Sequence, residues 1–355
     1  MHISRAALRA STGLFTPALI RGVPTRDSGS MMTYDRHTVD STGAFLIGEL
    51  ERLDPTVHEP LVAYTWSRDV DLREDVTMGD EVSSFTQSSY AANGGVNPNG
   101  KNWIGLNTNA IAGVGVDTGK VSAPLHPWGM ELSYTVLELE RSLKLNRPVD
   151  AQKLRAIQLK WNMDLDEMVY VGEAAFPNCF GLLTSPLVAT ANVPVGASGS
   201  ATWATKTPDE ILADVNGIIN AAWAASGWTR LPNKIGLPPA QLSMLVAKLV
   251  SAAGSNSILK FIMENNLTVQ GGGTLDIVPM KWLIGGGAGG TRGQLGTVDR
   301  MIAYTQEEDL VRFPLVQLQR TPLEYRSIYQ MTTYYGQMGQ MEFVYPETLA
   351  YRDGI

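Results

Sequence analysis

The sequence predicts a mixed α+β chain with a strand-rich C-terminal part, and three observations carry that prediction. Apolar residues recur at helical spacing through the middle of the chain, and from Thr274 onward the pattern turns to short strands. Residues 1–128 sustain neither period. At 355 residues the chain can bury a sizeable core, in one large domain or in two to three ordinary ones.

Taken in order, residues 1–75 hold only short apolar pieces such as Gly43-Ala-Phe-Leu-Ile47 among Ser, Thr, Gly and Asp. The first 26 residues carry Arg5, Arg9, Arg21 and Arg26 and no acid. In isolation that composition resembles an organellar transit peptide. Taken as retained from Met1, it reads instead as a basic tail that lies against another surface, with no N-terminal scaffolding domain removed. Residues 76–128 contain a strand-like Ser84–Tyr90 and another around Trp103–Leu106, separated by the Asn-, Gly- and Pro-rich loop tip Asn93–Asn102. Connections this long and irregular suit extended arms held by neighbouring subunits better than a compact domain.

A helix is expected from about Glu131 to Leu145, broken by Asn146-Arg-Pro148. A second runs from about Val149 to Val171, with Leu154, Ile157, Trp161, Leu165 and Met168 on one face and Gly172 as its stop. A third has full punctuation: Thr207 as N-cap, Pro208 at the first position, Glu210 closing a capping box and Gly227 beyond the end. Its buried stripe is Ile211, Val215, Ile218, Ile219 and Ala222. A fourth follows Pro238-Pro239 through Leu242, Leu245, Val246 and Leu249 towards Gly254, and a short fifth covers Ser257–Glu264. Strands are expected at Leu275–Val278, Met280–Ile284, Arg300–Tyr304, Glu324–Tyr335 and Met341–Tyr345.

Composition narrows the function. Charged residues make up 18% of the chain, against about 25% for a typical soluble domain. Interfaces are depleted in charge at their centres, so obligate assembly is favoured over a low-charge monomer. The net charge of −7 argues against a dedicated nucleic-acid binder. A single cysteine, Cys179, rules out an intrachain disulfide and a multi-cysteine metal site. No run of 18 apolar residues offers a membrane span.

The apparent chemical motifs dissolve on inspection. Gly95-Val-Asn-Pro-Asn-Gly-Lys-Asn102 is one residue from a phosphate loop, but Asn102 replaces the magnesium-binding hydroxyl and Pro98 removes a cradle donor. Gly285-Gly-Gly-Ala-Gly-Gly290 satisfies G-x-G-x-x-G, yet Thr291-Arg-Gly-Gln-Leu-Gly296 cannot open the helix that a dinucleotide site requires. The four histidines, His2, His37, His58 and His126, all fall in the irregular first third. Cys179 reads as packing, and both Asp164-Leu-Asp-Glu167 and Glu307-Glu-Asp309 read as solvated faces. The aromatic run from Tyr325 to Tyr345 lacks the interleaved cations of a single-strand binder and reads as strand packing. No catalytic constellation, cofactor site or metal site is expected.

The order of parts then carries a resemblance. An arm, a two-stranded loop, a long helix, a helix-rich α/β region and a strand-rich end resemble the major capsid proteins of tailed bacteriophages, the Hong Kong 97-like fold that encapsulin shells share. Three local elements agree with it: Gly181-Leu-Leu-Thr-Ser-Pro186 after the long helix, Leu237-Pro-Pro-Ala-Gln-Leu242 opening a helix, and the tail Tyr345–Ile355. The resemblance implies an N-terminal arm at 1–75, an extended loop at 76–128, and a spine helix with the start of a peripheral domain at 129–186. An axial domain at 187–298 and the rest of the peripheral domain at 299–355 complete it.

On that resemblance the chain self-assembles as hexamers and pentamers of an icosahedral capsid around double-stranded DNA, without sequence-specific binding or contact with a membrane. Assembly takes place in the host bacterial cytoplasm, with portal, scaffolding and cement or decoration proteins as further partners. The residues singled out for assembly are Arg5, Arg9, Arg21, Arg26, Asn97, Lys101, Trp103 and Trp161. Some relatives weld their shells with a Lys–Asn isopeptide bond. Lys101 and Lys120 offer amines here, but the last asparagine is Asn266, so residues 267–355 provide no acceptor and no cross-link is expected. The alternatives are an encapsulin-like compartment, a tail or baseplate component, and a nucleotide-binding enzyme using the Gly95–Lys101 loop.

Overall fold

The long helix and the strands after Thr274 meet in one core, and that meeting sets the architecture. The computed structural model describes residues 62–92, 106, 113–144, 149–251, 256–287, 296 and 298–355. Of these, Val62–Ile355 belongs to a single compact unit. It opens with a one-turn helix, α1 (Trp66–Asp69), a short strand, β1 (Asp71–Arg73), and two long strands, β2 (Val82–Ala92) and β3 (Val114–Pro124). Next come β4 (His126–Thr135), α2 (Val136–Lys144) and the long α3 (Val149–Tyr170). The middle of the chain supplies β5 (Ala189–Asn192), α4 (Pro208–Ala225), β6 (Lys234–Leu237), α5 (Pro239–Ala247), α6 (Ile258–Asn265), α7 (Leu267–Gln270) and β7 (Asp276–Pro279). The end supplies β8 (Arg300–Tyr304), β9 (Val311–Arg320), β10 (Glu324–Arg326), β11 (Tyr329–Met338), β12 (Glu342–Phe343) and β13 (Ala350–Asp353).

Two sheets organise the body. In the six-stranded one, β11 pairs antiparallel with β4, β9 and β10, while β9 also takes β1 in parallel and β12 antiparallel. The five-stranded sheet runs β5-β13-β8-β6-β7. One face of α3 is buried at Trp161, Leu165, Met168 and Val169, the i, i+4, i+7, i+8 stripe of an amphipathic helix. That stripe joins Phe313, Leu315 and Met338 of the first sheet to Ile302 and Tyr351 of the second in one core. A second core lies beneath α4, whose Ile211, Val215, Ile218, Ile219 and Ala222 are all 0% exposed. Burying each of the four larger side chains contributes about 1.5–3 kcal/mol relative to exposure. The capping box of α4 forms as read, with Thr207 accepting from the Glu210 amide and Glu210 accepting from the Thr207 amide.

Several expectations need correction. The helix expected from Glu131 begins at Val136, because His126–Thr135 pairs residue for residue with Met338–Tyr329 and the sheet overrides helical propensity. Met280–Ile284 is a 3-10 turn around Lys281–Leu283 rather than a strand. The fourth helix ends at Ala247, and although Leu245 is buried, Val246 and Leu249 are half-exposed. The strand Val311–Arg320 was not expected at all, yet it lies at the heart of the six-stranded sheet.

The Gly181-Leu-Leu segment has a physical reason. Leu182 donates to the Val169 carbonyl at 2.7 Å and Leu183 to the Tyr170 carbonyl at 2.9 Å, so two stretches of backbone cross in contact. A Cβ on Gly181 would stand 2.4 Å from the Tyr170 carbonyl carbon, and neither backbone can give way. Gly181→Ala is therefore expected to cost about 3 kcal/mol or more. Chemical denaturation of the unassembled subunit measures it, and a loss under about 1 kcal/mol would mean the crossing is not tight.

Candidate assembly surfaces

The most unusual feature is the β2–β3 ribbon. Its register is unbroken from Val82↔Pro124 to Ala92↔Val114, and among the described residues no third strand joins it. From Val114 to Ser122 every residue is exposed, and only Ala123 near the root is buried. The faces differ because side chains alternate. Ser83, Phe85 and Gln87 share the face turned to the body at the root. The opposite face places Tyr90, 76% exposed, directly across from Val116 and beside Val114. A two-stranded ribbon alone is marginal in water, and an exposed aromatic–aliphatic cross-strand pair at its outer end calls for a covering surface.

The ribbon is moored at its root. Glu342 of β12 is buried between Arg312 Nε of β9 at 2.8 Å and Arg73 Nη1 of β1 at 3.3 Å, and it accepts from the Ser83 hydroxyl. Arg73 also donates to Ser83 Oγ and the Ser84 carbonyl, while Gln87 Nε2 donates to the Val344 carbonyl at 2.8 Å.

A second set of buried charges fixes the long helix. Asp166, read from sequence as part of a solvated face, is 0% exposed. It accepts from the Thr65 and Trp66 amides and from Trp282 Nε1, and pairs with Lys281 at 2.8 Å. Asp69 is equally buried against Arg68, Lys234 and the Tyr170 hydroxyl. Burial, with the Asp69 carboxylate beside it, holds the Tyr170 phenol far above its ordinary range. Under α4, Lys206 meets Asp214 at 2.5 Å while Trp203 Nε1 donates to the same carboxylate; burial raises the Asp214 pKa and the Lys206 contact opposes that rise. Each of these groups is spoken for and braces the elements it joins. Among the described residues no group of three or more His, Cys, Asp and Glu is placed to hold a metal ion, and no helix is long and apolar enough to cross a membrane.

A second exposed apolar surface lies where β10 turns into β11. Tyr325, Ile328 and Tyr329 are 70%, 51% and 48% exposed, and Val136 and Leu137 of α2 follow β4, the neighbour of β11. The aromatic run is thus only partly strand packing, since Tyr345 is also exposed while Phe343 is buried. Between β4 and the end of α3 lies a cleft of about 240 Å³ lined by His126, Trp128, Met168, Phe176 and Met338. There the His126 ring stacks on Phe176 at 3.6 Å.

The residues singled out from sequence divide sharply. Arg5, Arg9, Arg21, Arg26, Asn97, Lys101 and Trp103 lie outside the described residues, as does the whole Gly95–Asn102 loop. Trp161 lies in the core at 7% exposure, edge-on to Trp128 and packed against Gly336. His126 stands in a strand, not an irregular segment. Cys179 is buried beside Met168, as expected of a packing thiol. Sequence reading missed Glu342 and Asp166, whose only signal was an acid beside strand or helix residues of strong apolar pattern.

A body that buries its own cores while holding out an uncovered ribbon and an apolar strand tip is built as one subunit of a larger assembly. The model of the major capsid protein family matches residues 100–355, and the chain belongs to that family. It is a structural subunit that assembles with its own copies into a capsid shell. Among solved structures, the capsid of Myoviridae phage XM1 is similar at TM-score 0.69 and 14% identity, over 93% of this chain and 100% of its own. The capsid of a native GTA particle is similar at 0.56 and 8% identity, over 86% and 96%. Gordonia phage Cozz is similar at 0.52 and 12% identity, over 93% and 97%. These likenesses establish the Hong Kong 97-like fold. No curated protein matches the sequence.

The His126 site yields a pH dependence. Burial lowers the His126 pKa below its ordinary value of 6.5, so the unfolded chain takes up the proton first and stability falls as pH drops below about 6.5. His126→Phe keeps a ring against Phe176 and removes this contribution. Denaturation midpoints at pH 7.5 and 5.5 should lie closer together in the variant than in the parent, and an unchanged gap would assign the dependence elsewhere.

Proposed function

We propose that copies of this chain form the pentamers and hexamers of an icosahedral phage capsid enclosing double-stranded DNA, built in the cytoplasm of the host bacterium. The observation that carries this reading is the uncovered β2–β3 ribbon on a chain of the capsid family. In this role the ribbon is the extended loop of 76–128, and its Tyr90–Val116 face lies on a neighbouring copy. The basic segment with Arg5, Arg9, Arg21 and Arg26 belongs to the arm of 1–75, Asn97, Lys101 and Trp103 belong to the loop of 76–128 as assembly residues, and α3 is the spine helix within 129–186. The five-stranded sheet with α4 to α7 forms the axial domain, and the six-stranded sheet with α3 the peripheral one. Strands β8 and β13 belong to the five-stranded sheet, so the axial domain draws on residues beyond 187–298.

The acidic balance of −7 supports a shell through which DNA slides rather than sticks. A portal, a scaffold and cement or decoration proteins are the partners that this role calls for.

Negative-stain electron microscopy of the purified protein, after sizing by light scattering, tests the reading. Closed polyhedral shells, or five- and six-membered rings, are expected; a uniform monomer or dimer under all assembly conditions would overturn it. Boiling assembled particles in detergent should release one band near 38.5 kDa, and a ladder would reveal a cross-link. Tyr90→Ser with Val116→Ser should leave the subunit folded and lower shell yield about tenfold or more, as expected for lost apolar burial at a repeated contact.

A further inference from the structure

We propose that the buried Glu342 carboxylate is a positioning residue that fixes the direction in which the β2–β3 ribbon leaves the body, and thereby the geometry between neighbouring copies in the shell. This inference rests on the shell reading for its second half only.

Nothing within the ribbon can set its own direction. It belongs to neither sheet of the body. Among the described residues its side-chain tethers converge on one short segment: Ser83 on Glu342 and Gln87 on the Val344 carbonyl. Beyond Gln87, residues Ser88–Ala91 of β2 are exposed. The ribbon is therefore a lever with its fulcrum at Ser83–Gln87.

Lever geometry makes the fulcrum matter. From that fulcrum β2 runs on to Ala92, an arm of roughly 16–30 Å at about 3.3 Å per residue. A tilt of about 10° at the root then moves the far end by about 3–5 Å, well beyond the tolerance of a packed contact. Only a stiff root can deliver the ribbon's outer face to the same place on every neighbour.

Glu342 supplies that stiffness. Its side chain is 1% exposed and receives Arg312 on one oxygen, Ser83 on the other and Arg73 Nη1 across both. The two guanidinium groups come from β9 and from β1, strands that pair with each other, so the carboxylate is held in register with the sheet. Charge-assisted bonds of this kind are short and directional, and burial shields them from water. The Ser83 hydroxyl then passes that orientation to the ribbon. Arg73 reinforces the transfer by donating to Ser83 Oγ at 2.9 Å and to the Ser84 carbonyl at 3.0 Å.

The test reads direction and assembly separately. Spin labels at Tyr90→Cys and Asn220→Cys, both exposed, report the distance between ribbon and body in the unassembled subunit, while the buried Cys179 stays unlabelled. The parent should give one narrow distance distribution. Ser83→Ala with Gln87→Ala removes both side-chain tethers while leaving Glu342 its two arginines, so the subunit should stay folded at a somewhat lower melting temperature and that distribution should widen at least about twofold. Glu342→Gln keeps the shape but removes the charge and should widen it as well.

In parallel, without the labels, the double variant should give shells of mixed diameter and about tenfold fewer closed ones. An unchanged distribution in both variants would overturn the role of Glu342. A widened distribution with uniform shells at parental yield would overturn the link from ribbon direction to shell geometry. Failure of the parent itself to form shells would count against the shell reading instead, and the label distances would still decide the first half.

Discussion

Two antiparallel strands with solvent on both faces bury too little apolar surface to hold a shape of their own, and the rest of the molecule is organised around presenting such a ribbon. The six-stranded sheet gives the ribbon a rigid base, with β1 leading into it and β4 leading out. The long helix α3 packs its buried stripe on that sheet and prevents it from flexing. The five-stranded sheet is joined to the same core through Ile302, Tyr304 and Tyr351. A displacement at any of these junctions would be carried outward along the strands.

Apolar packing alone does not specify such a junction. Cores tolerate small slides of one element past another, whereas a buried carboxylate with several donors accepts one arrangement. In this chain such carboxylates stand where elements must meet. Asp166 ties α3 to the approach to α1 and to the turn at Lys281–Leu283. Asp69 ties α1 to β6 through Lys234 and to α3 through Tyr170. Asp353 ties β13 to β8 through Arg300 at 2.7 Å, and Glu342 ties β12 to β1, β9 and the ribbon. The desolvation cost of each ion leaves little net stabilisation. Their contribution is uniqueness of geometry, which a shell of repeated contacts demands more than a monomer does.

The sequence made the punctuated parts legible. Thr207-Pro-Asp-Glu210 announces α4 because every capping group is local, and Val149–Tyr170 shows its face because the stripe lies on one helix. Gly181 was visible as part of a motif, while its cause, a backbone crossing with Tyr170, is a tertiary contact that no spacing reveals. The second half of strand β4, Glu131–Thr135, was read as the start of a helix; the partners that make it a strand lie some 200 residues onward in β11. Pro314 obscured β9, since proline argues against a central strand. Here it sits in the middle of β9, where Gly339 donates to its carbonyl. Asp166 looked solvated for the same reason: its donors come from residues 65, 66, 281 and 282.

This placement of charge also accounts for the composition. At 18%, the charged fraction is already low for a soluble chain, yet part of it never reaches the surface. Asp69, Asp166, Asp214, Glu342, Asp353, Lys206 and Lys234 are all buried. The surface left behind is poorer in charge than the sequence alone suggests, and it displays Tyr90, Tyr325, Leu187 and Val195 at 66% exposure or more. Such a surface is costly for a lone subunit in water. It suits one whose neighbours cover it, because apolar contact loses least where no charge must be stripped of solvent. The same residues that make the body rigid inside thus leave its outside free for contact.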